Sequence, residues 1–352
     1  MEELKQIKPL DQNAMAAAKK HWDAVAKPLG SLGLLEDHVI QLAGIMHTEQ
    51  VCVSPRCVLV FCADNGVVAQ GVSQSGQEMT AAVARALARG ESNVNLMAST
   101  VQADVFAVDM GMAETVEEPN LLSRRISGGT QDIAVTAAMT RTQAIEAIGA
   151  GIDLVGDMKV HGYRMIATGE MGIGNTTTAC AVACALLRKE PAELVGRGAG
   201  LSDAGLARKT EAIQRALRVN QPNSTDPIDV LCKVGGYDIA GLMGAFLGGA
   251  VHQVPIVIDG MISSVAALLA AALCPLATDY MLSSHVSREP SSQLILEKLG
   301  FIPIVHAGMA LGEGTGALTL FPLLDMALRV YHGSHTFTNL GMDAYAPQGG
   351  HQ

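Results

Sequence analysis

Three glycine-rich segments carry the side chains of this 352-residue chain that could do chemistry. The sharpest runs from His306 to Gly316 (HAGMALGEGTG), where Glu313 is the only acid between Ile304 and Leu323 and is flanked by Gly312 and Gly314. Bare backbone on both sides lets one carboxylate project, and partial desolvation would raise its pKa toward that of a general base. The plainer alternative is a Glu that caps the following helix. The second segment, Gly169 to Thr178 (GEMGIGNTTT), holds Glu170, Gly172, Gly174, Asn175, Thr176 and Thr177. A loop of this kind between a strand and a helix exposes backbone N–H groups at the positive end of the helix dipole, which suits an anion. It has no Gly-Lys-Ser/Thr and no GxGxxG spacing, so the anion need not be that of ATP or a dinucleotide; the alternative is a tight turn with Thr caps. The third, Val195 to Leu201 (VGRGAGL), contains Gly198 and precedes a helix bearing Arg208 and Lys209. Glycines followed by cations suit a phosphate or a carboxylate, although a helical Lys is more commonly a solvated surface residue. Asp64-Asn65-Gly66 and Asp259-Gly260 end apolar runs and read equally well as Asx turns.

Repeated strand–glycine turn–helix units must position these loops. Short apolar runs starting at Cys57, and at Asp104–Asp109, Arg164–Thr168, Pro255–Ile258 and Ile302–His306, have the character of strands buried on both faces. Helical spacing follows at Ala81–Arg89, Thr176–Leu187, Ile262–Leu273 and Ala317–Tyr331. The pattern predicts an α/β fold with a parallel, doubly wound, Rossmann-like sheet, and ligands outside the carboxyl ends of its strands. Near the N-terminus, Asp11–Lys27 reads as a helix, and Ser31 as the N-cap of a second. Residues 1–50 and 331–352 are expected to form a small helical domain beside a large catalytic domain over 51–330. The tail after Val330 loses the repeating pattern and should fray.

Composition narrows the partners. Lys and Arg number 24 against 34 Asp and Glu, a net charge of −10. An acidic chain with 3% aromatic residues is a poor match for nucleic acid or an anionic membrane. No apolar run reaches the roughly 20 residues of a membrane-spanning helix, and the N-terminal segment lacks the build of a signal peptide. Seven Cys without framework spacing suggest free thiols in the cytoplasm, and ten scattered His suggest no metal site. No GxSxG elbow is present. The residues alone therefore point to group transfer from a phosphorylated molecule, with one carboxylate to remove a proton from the acceptor and no cofactor.

Seven segments, in order, carry a more specific likeness: Lys27–Gly33 (KPLGSLG), Cys62–Val67 (CADNGV), Gly169–Thr177, Asn220–Pro222 (NQP), Lys233–Ala240 (KVGGYDIA), Asp259-Gly260 and Leu311–Gly316. Together they resemble the nicotinate-nucleotide:dimethylbenzimidazole phosphoribosyltransferases of cobamide assembly, from about Ala14 to about Tyr331. The resemblance implies a glycosyltransferase that moves the phosphoribosyl group of nicotinate mononucleotide to a lower-ligand base. It releases nicotinate and forms an α-ribotide for the cobalamin nucleotide loop. Glu313 falls on the family's general base. Glu170, Gly172, Gly174, Asn175, Thr176, Thr177, Gly198, Lys209 and Ser287 fall where the phosphoribosyl group is handled, and Met79, Val83 and Leu311 where the base is held. A homodimer is implied, or a heterodimer with a paralogous subunit as in the relatives that use phenol or p-cresol; a non-catalytic partner subunit is the remaining alternative. This chain departs from the family twice. Asn65 replaces the usual His and cannot carry a proton, and Ala81, Ala82 and Val83 follow Thr80 where benzimidazole users commonly have a Gln. A slot without that amide suits a phenolic acceptor better.

Overall fold

The apolar run Arg56–Ala63 is buried at every position, as a strand covered by helices on both faces must be. It forms β1, the centre of a six-stranded sheet in the computed structural model, which describes residues 2–346. In chain order the strands are β1 (Arg56–Ala63), β2 (Ala103–Gly111), β3 (Leu121–Ser123), β4 (Met165–Met171), β5 (Ile256–Ile258) and β6 (Met281–Ser283). Their order across the sheet is β3-β2-β1-β4-β5-β6, and every neighbouring pair is parallel. The chain leaves β1 toward β2 and β3 on one side and returns to β4, β5 and β6 on the other. A crevice must open between the loops after β1 and β4, where the winding reverses.

The helices Glu78–Arg89, Asn175–Leu187 and Met261–Leu273 follow β1, β4 and β5. Tyr237–His252 is buried from Tyr237 to Ala250 and crosses the helix Arg141–Val160 so closely that Gly151 and Gly244 meet backbone to backbone. A Cβ at either glycine would strike the other helix, which explains small residues at a crossing that the scarcity of aromatics also favours.

The ends of the chain meet. Helices Gln12–Ala24 and Leu34–Met46 pack on each other, and the second packs on Leu320–Gly333. Trp22 stacks edge-on against Tyr331, and His21 Nε2 lies 2.7 Å from the Tyr331 carbonyl. One continuous apolar core joins these residues to the sheet. The helix Leu320–Gly333 runs through the boundary expected at 330/331, and the final residues of the tail expected to fray, 347–352, lie outside the described residues.

Three expectations need correction. Ile302–His306 is not a strand: it makes a single bridge, Val305 to His285, and lies beside β6. Pro303 has no N–H to give a ladder, and the segment is tied instead by Ile304 and Val305 N–H groups that both donate to the Ser284 carbonyl. Ser31 is not an N-cap. The helix begins at Leu34 after Gly33, and the Glu36 carboxylate reaches back to the Leu32 N–H at 2.9 Å and to Lys27 Nζ at 2.6 Å. Ala317–Tyr331 is not one helix, for a turn Thr315–Leu318 precedes Leu320–Gly333. The short strands β3 and β6 carried no signal, since three residues cannot show a period.

Candidate active site

A cleft of about 240 Å³ lies at the carboxyl ends of β4 and β5, beside the reversal of the sheet. Glu170, Gly172, Asn175, Thr176, Gly198, Ser287, Leu311 and Glu313 all line it, so three loops that are far apart in sequence meet there. Gly174 lines a smaller adjoining cavity that shares Gly172, Asn175, Thr176 and Gly198 as a common wall. Thr177 and Lys209 stand behind the wall, both without exposed surface. Met79 and Val83 are not among the lining residues; both lie on Glu78–Arg89, and Met79 is 42% exposed. That helix is nonetheless tied to the cleft through Thr80, whose Oγ1 donates to Asp64 Oδ1 at 2.7 Å and accepts from the Ile173 N–H at 3.1 Å.

Glu313 sits in a run of three left-handed residues, with φ of +86° at Gly312, +60° at Glu313 and +91° at Gly314. A glutamate in that region costs about 1–2 kcal/mol, so neighbouring contacts must hold it there. Two do. The Asp259 carboxylate at the end of β5 accepts the Gly314 N–H at 3.3 Å and the Ala317 N–H at 2.8 Å. Gly169 of β4 lets the loop descend onto the strand, because a Cβ there would stand 2.5 Å from the Glu313 carbonyl oxygen. Glu313 Oε2 is buried without a hydrogen-bond partner. Burial pushes the carboxyl pKa up and Asp259 adds to the rise, while the Val94 backbone N–H works against it. A carboxylate poised in this way can take a proton from a bound nucleophile.

Opposite it, the helix Asn175–Leu187 opens toward the cleft after Gly174. Lys209 Nζ lies behind this turn and donates to Thr176 Oγ1 at 2.9 Å and to the Gly196 carbonyl at 3.0 Å, two of its three N–H donors. Gly198 lies over both groups: a Cβ there would be 3.0 Å from Thr176 Oγ1 and 3.6 Å from Lys209 Nζ. Burial lowers the Lys209 pKa, and Glu289 and Cys180 oppose that shift. A helix start, bare glycine backbone and one buried ammonium form an anion cradle. Ser287, whose N–H is held by Ser292 Oγ at 3.0 Å, closes its rim.

Sequence reasoning named Glu170 and Asp259 but singled out no role for Asp238, the acid paired with Glu170. Glu170 Oε2 accepts from Asn175 Nδ2, and the same amide nitrogen donates to Asp238 Oδ2 at 3.1 Å. Burial raises the pKa of Glu170 well above the usual range, with further increments from Asp238, Asp259 and Glu313. Asp238 is pushed up to about 6 by burial, against the pull of Asn175. A signal existed: Asp238 is the only acid in the apolar helix Tyr237–His252. Asp259 had the plainer reading of an Asx turn and instead ties two loops together. His285 also lines the cleft, with its ring against Gly316. Among the described residues no group of three His, Cys, Asp or Glu side chains is arranged to hold a metal ion.

A sheet of this order with an anion cradle facing a basic carboxylate defines an enzyme of the group-transfer class acting on phosphorylated molecules. Comparison with known proteins gives the family. The phosphoribosyltransferase family profile matches residues 7–342. The nicotinate-nucleotide–dimethylbenzimidazole phosphoribosyltransferase of Ruminiclostridium cellulolyticum is 44% identical over 98% of both chains, and that of Acetivibrio thermocellus 43% identical over 98% of both. A solved structure of the Thermus thermophilus enzyme, titled with the same activity, superposes with a TM-score of 0.88 at 36% identity, covering 95% of this chain and 99% of the other. The chain belongs to this phosphoribosyltransferase family.

Proposed function

We propose that the chain transfers the phosphoribosyl group of nicotinate mononucleotide to an aromatic lower-ligand base, releasing nicotinate and forming an α-ribotide. The observation that carries the reading is the meeting of Glu313 and the cradle of Gly172–Thr176, Gly198 and Lys209 in one cleft. The cradle takes the phosphate. The azole nitrogen with the free lone pair forms its bond to the anomeric carbon, and Glu313 accepts the proton from the ring's other nitrogen, so the transferred base ends neutral. The bond from that carbon to the pyridinium nitrogen breaks on the opposite face, its electron pair neutralises the ring, and the configuration inverts. The negative charge of Glu313 suits a reaction centre that carries positive charge on the ring and then on the sugar.

A second reading keeps the donor and changes the acceptor to phenol or p-cresol. It is favoured by the apolar character of the cleft wall, where Met171, Ile262, Met309 and Leu311 line the space, and by the Ala81-Ala82-Val83 sequence after Thr80. A hydroxyl needs only one acceptor, and Glu313 can provide it. We assign Met79, Val83 and Leu311 to the acceptor in either reading, of which only Leu311 lines the cleft of the single chain. A dimer would cover Met79 and Leu311, which are 42% and 51% exposed in the single chain. We place the enzyme in the cytoplasm, in keeping with seven free thiols; among the described residues no helix is long and apolar enough to cross a membrane.

The test is turnover of nicotinate mononucleotide with dimethylbenzimidazole, phenol and p-cresol, read by product mass, for the wild type and Glu313→Gln. Glu313→Gln should lower kcat on the order of 10²–10⁴-fold while KM for the nucleotide stays within about threefold. Near wild-type turnover in that variant would remove Glu313 from the role of base. A phenolic ribotide formed faster than the azole product would establish the second reading.

A further inference from the structure

Two buried carboxyl groups, Glu170 and Asp238, share a single neutral donor. Asn175 Nδ2 bonds to Glu170 Oε2 and to Asp238 Oδ2, and among the described residues no Lys, Arg or His forms an ion pair with either acid. Asp238 is fully buried and Glu170 is 8% exposed. The charges that raise Glu170 are all acidic: Asp238 from the helix Tyr237–His252, Asp259 from the end of β5 and Glu313 from the glycine loop; Cys62 on β1 is close enough to feel the Glu170 charge, and His285 lines the same cleft without forming an ion pair with it among the described residues. Two uncompensated negative charges at this spacing and burial cannot both persist, and one proton must reside on the pair.

The surroundings determine where it resides. Asp238 occupies the first turn of a 16-residue helix, where its Oδ1 accepts the Ile239 N–H at 2.9 Å at the positive end of the helix dipole. Asn65 lies beside it, close enough that a Cβ on Gly172 would stand 2.8 Å from Asp238 Oδ2 and 3.2 Å from Asn65 Nδ2. Glu170 has no backbone donor of this kind; its Oε1 lies against Gly312 on the cleft side, where a Cβ at that glycine would be 2.8 Å away. The anion is thus stabilised on Asp238 and the proton is left on Glu170.

We propose that Asp238 is a positioning residue that keeps Glu170 a neutral carboxylic acid, so that Glu170 presents an O–H donor, and no negative charge, to the phosphoribosyl donor. The inference deepens the reading of the cleft as the donor site and rests on it. A neutral acid opposite Glu313 avoids repelling an anionic phosphoribosyl group, and it confines the negative charge of the reaction centre to the base. The proton does not leave during transfer; Glu170 donates a hydrogen bond and remains intact. The directions in which burial and neighbours move the two groups agree, Asp238 titrating near 6 and Glu170 well above its usual range.

The experiment is infrared difference spectroscopy of the unliganded protein across pH, read at the carbonyl stretch of protonated carboxylic acids, for the wild type, Glu170→Gln and Asp238→Asn. It needs no turnover, so its outcome separates from that of the acceptor assay. At neutral pH the wild type should show an acid band that Glu170→Gln lacks. In Asp238→Asn, which removes the charge and keeps one of the two acceptor oxygens, the same band should vanish at a pH at least about one unit lower. In transfer assays Glu170→Gln, an isosteric neutral donor, should lose the decline of kcat/KM at high pH that the wild type shows, whatever its level at the optimum. An acid band that survives Glu170→Gln would overturn the proposal, as would one that Asp238→Asn leaves unmoved. A decline of kcat/KM at high pH that persists in correctly folded Glu170→Gln would do the same, because it would assign that titration to another group.

Discussion

Gly169→Ala isolates the contact that seats Glu313, the proposed general base. Gly169 lies in β4, and the added methyl would stand 2.5 Å from the Glu313 carbonyl oxygen, 2.6 Å from its carbonyl carbon and 2.8 Å from the Gly314 nitrogen. Ordinary contact begins at 3.4 Å, so the loop must withdraw by about 0.9 Å. None of the three atoms belongs to a flexible side chain, and the Asp259 bonds to Gly314 and Ala317 resist the movement. Overpacking of this kind costs about 1–3 kcal/mol of stability. The larger consequence is kinetic. A catalytic group displaced by about 1 Å loses on the order of 10²-fold in rate, equivalent to about 2.7 kcal/mol of transition-state stabilisation. Steady-state assays with nicotinate mononucleotide should show kcat reduced about 100-fold with KM for the nucleotide nearly unchanged, because the atoms the methyl strikes belong to the Glu313 loop and not to the Gly172–Thr176 turn. Gly300→Ala is the control: its φ is +79° with nothing within 4 Å, so it strains the backbone by about 1 kcal/mol without touching the cleft. If Gly169→Ala keeps kcat within threefold of the wild type, the seat on β4 is not what positions Glu313.

Two further expectations concern the groups behind the cleft. Lys209→Met should raise KM for the nucleotide more than it lowers kcat, by about 10–100-fold, since a charge-assisted bond is worth about 1.5–3 kcal/mol; it should also destabilise the fold by leaving the Gly196 carbonyl without its partner. A lowered kcat at unchanged KM would place the cation away from the substrate's phosphate. Stability should also decline between about pH 4 and pH 6. The folded chain keeps the Asp238 proton up to about 6, whereas the unfolded chain releases it near 3.8, so the native state binds more protons in that window and loses on the order of 3 kcal/mol as pH rises through it. Urea unfolding of the wild type against Asp238→Asn measures the difference: the decline should be less steep in the variant, where the raised Glu170 and Glu313 remain but Asp238 no longer contributes; parallel curves would refute the assignment.

Much of the fold is local in origin and therefore legible along the chain. The runs around Cys57–Cys62, Asp104–Asp109 and Arg164–Thr168 are long enough to read as strands, the first buried throughout and the second only from Ala107 on, so strand, loop and helix are specified by neighbours in sequence. The segment Ile302–His306 shows where that reading ends. It has the same apolar look, but Pro303 and the neighbouring Ser284 carbonyl determine that it is held without a ladder.

The three loops were legible as chemistry for a related reason: an isolated Glu between glycines and a Gly-Asn-Thr-Thr turn before a helix restrict their own conformations. Sequence alone therefore determined the sheet class, the candidate base and the anion-binding turn, because backbone freedom and side-chain type are properties of single residues. Tertiary structure decided how they are used. Only the folded chain places Gly169 under Glu313, Lys209 behind Thr176, and Asp238 against Asn175, 63 residues apart in sequence. The ionisation of Glu170 belongs to that second kind of information. Its surroundings come from four different elements, and a carboxyl pKa is set by the burial and charges that the fold brings to it.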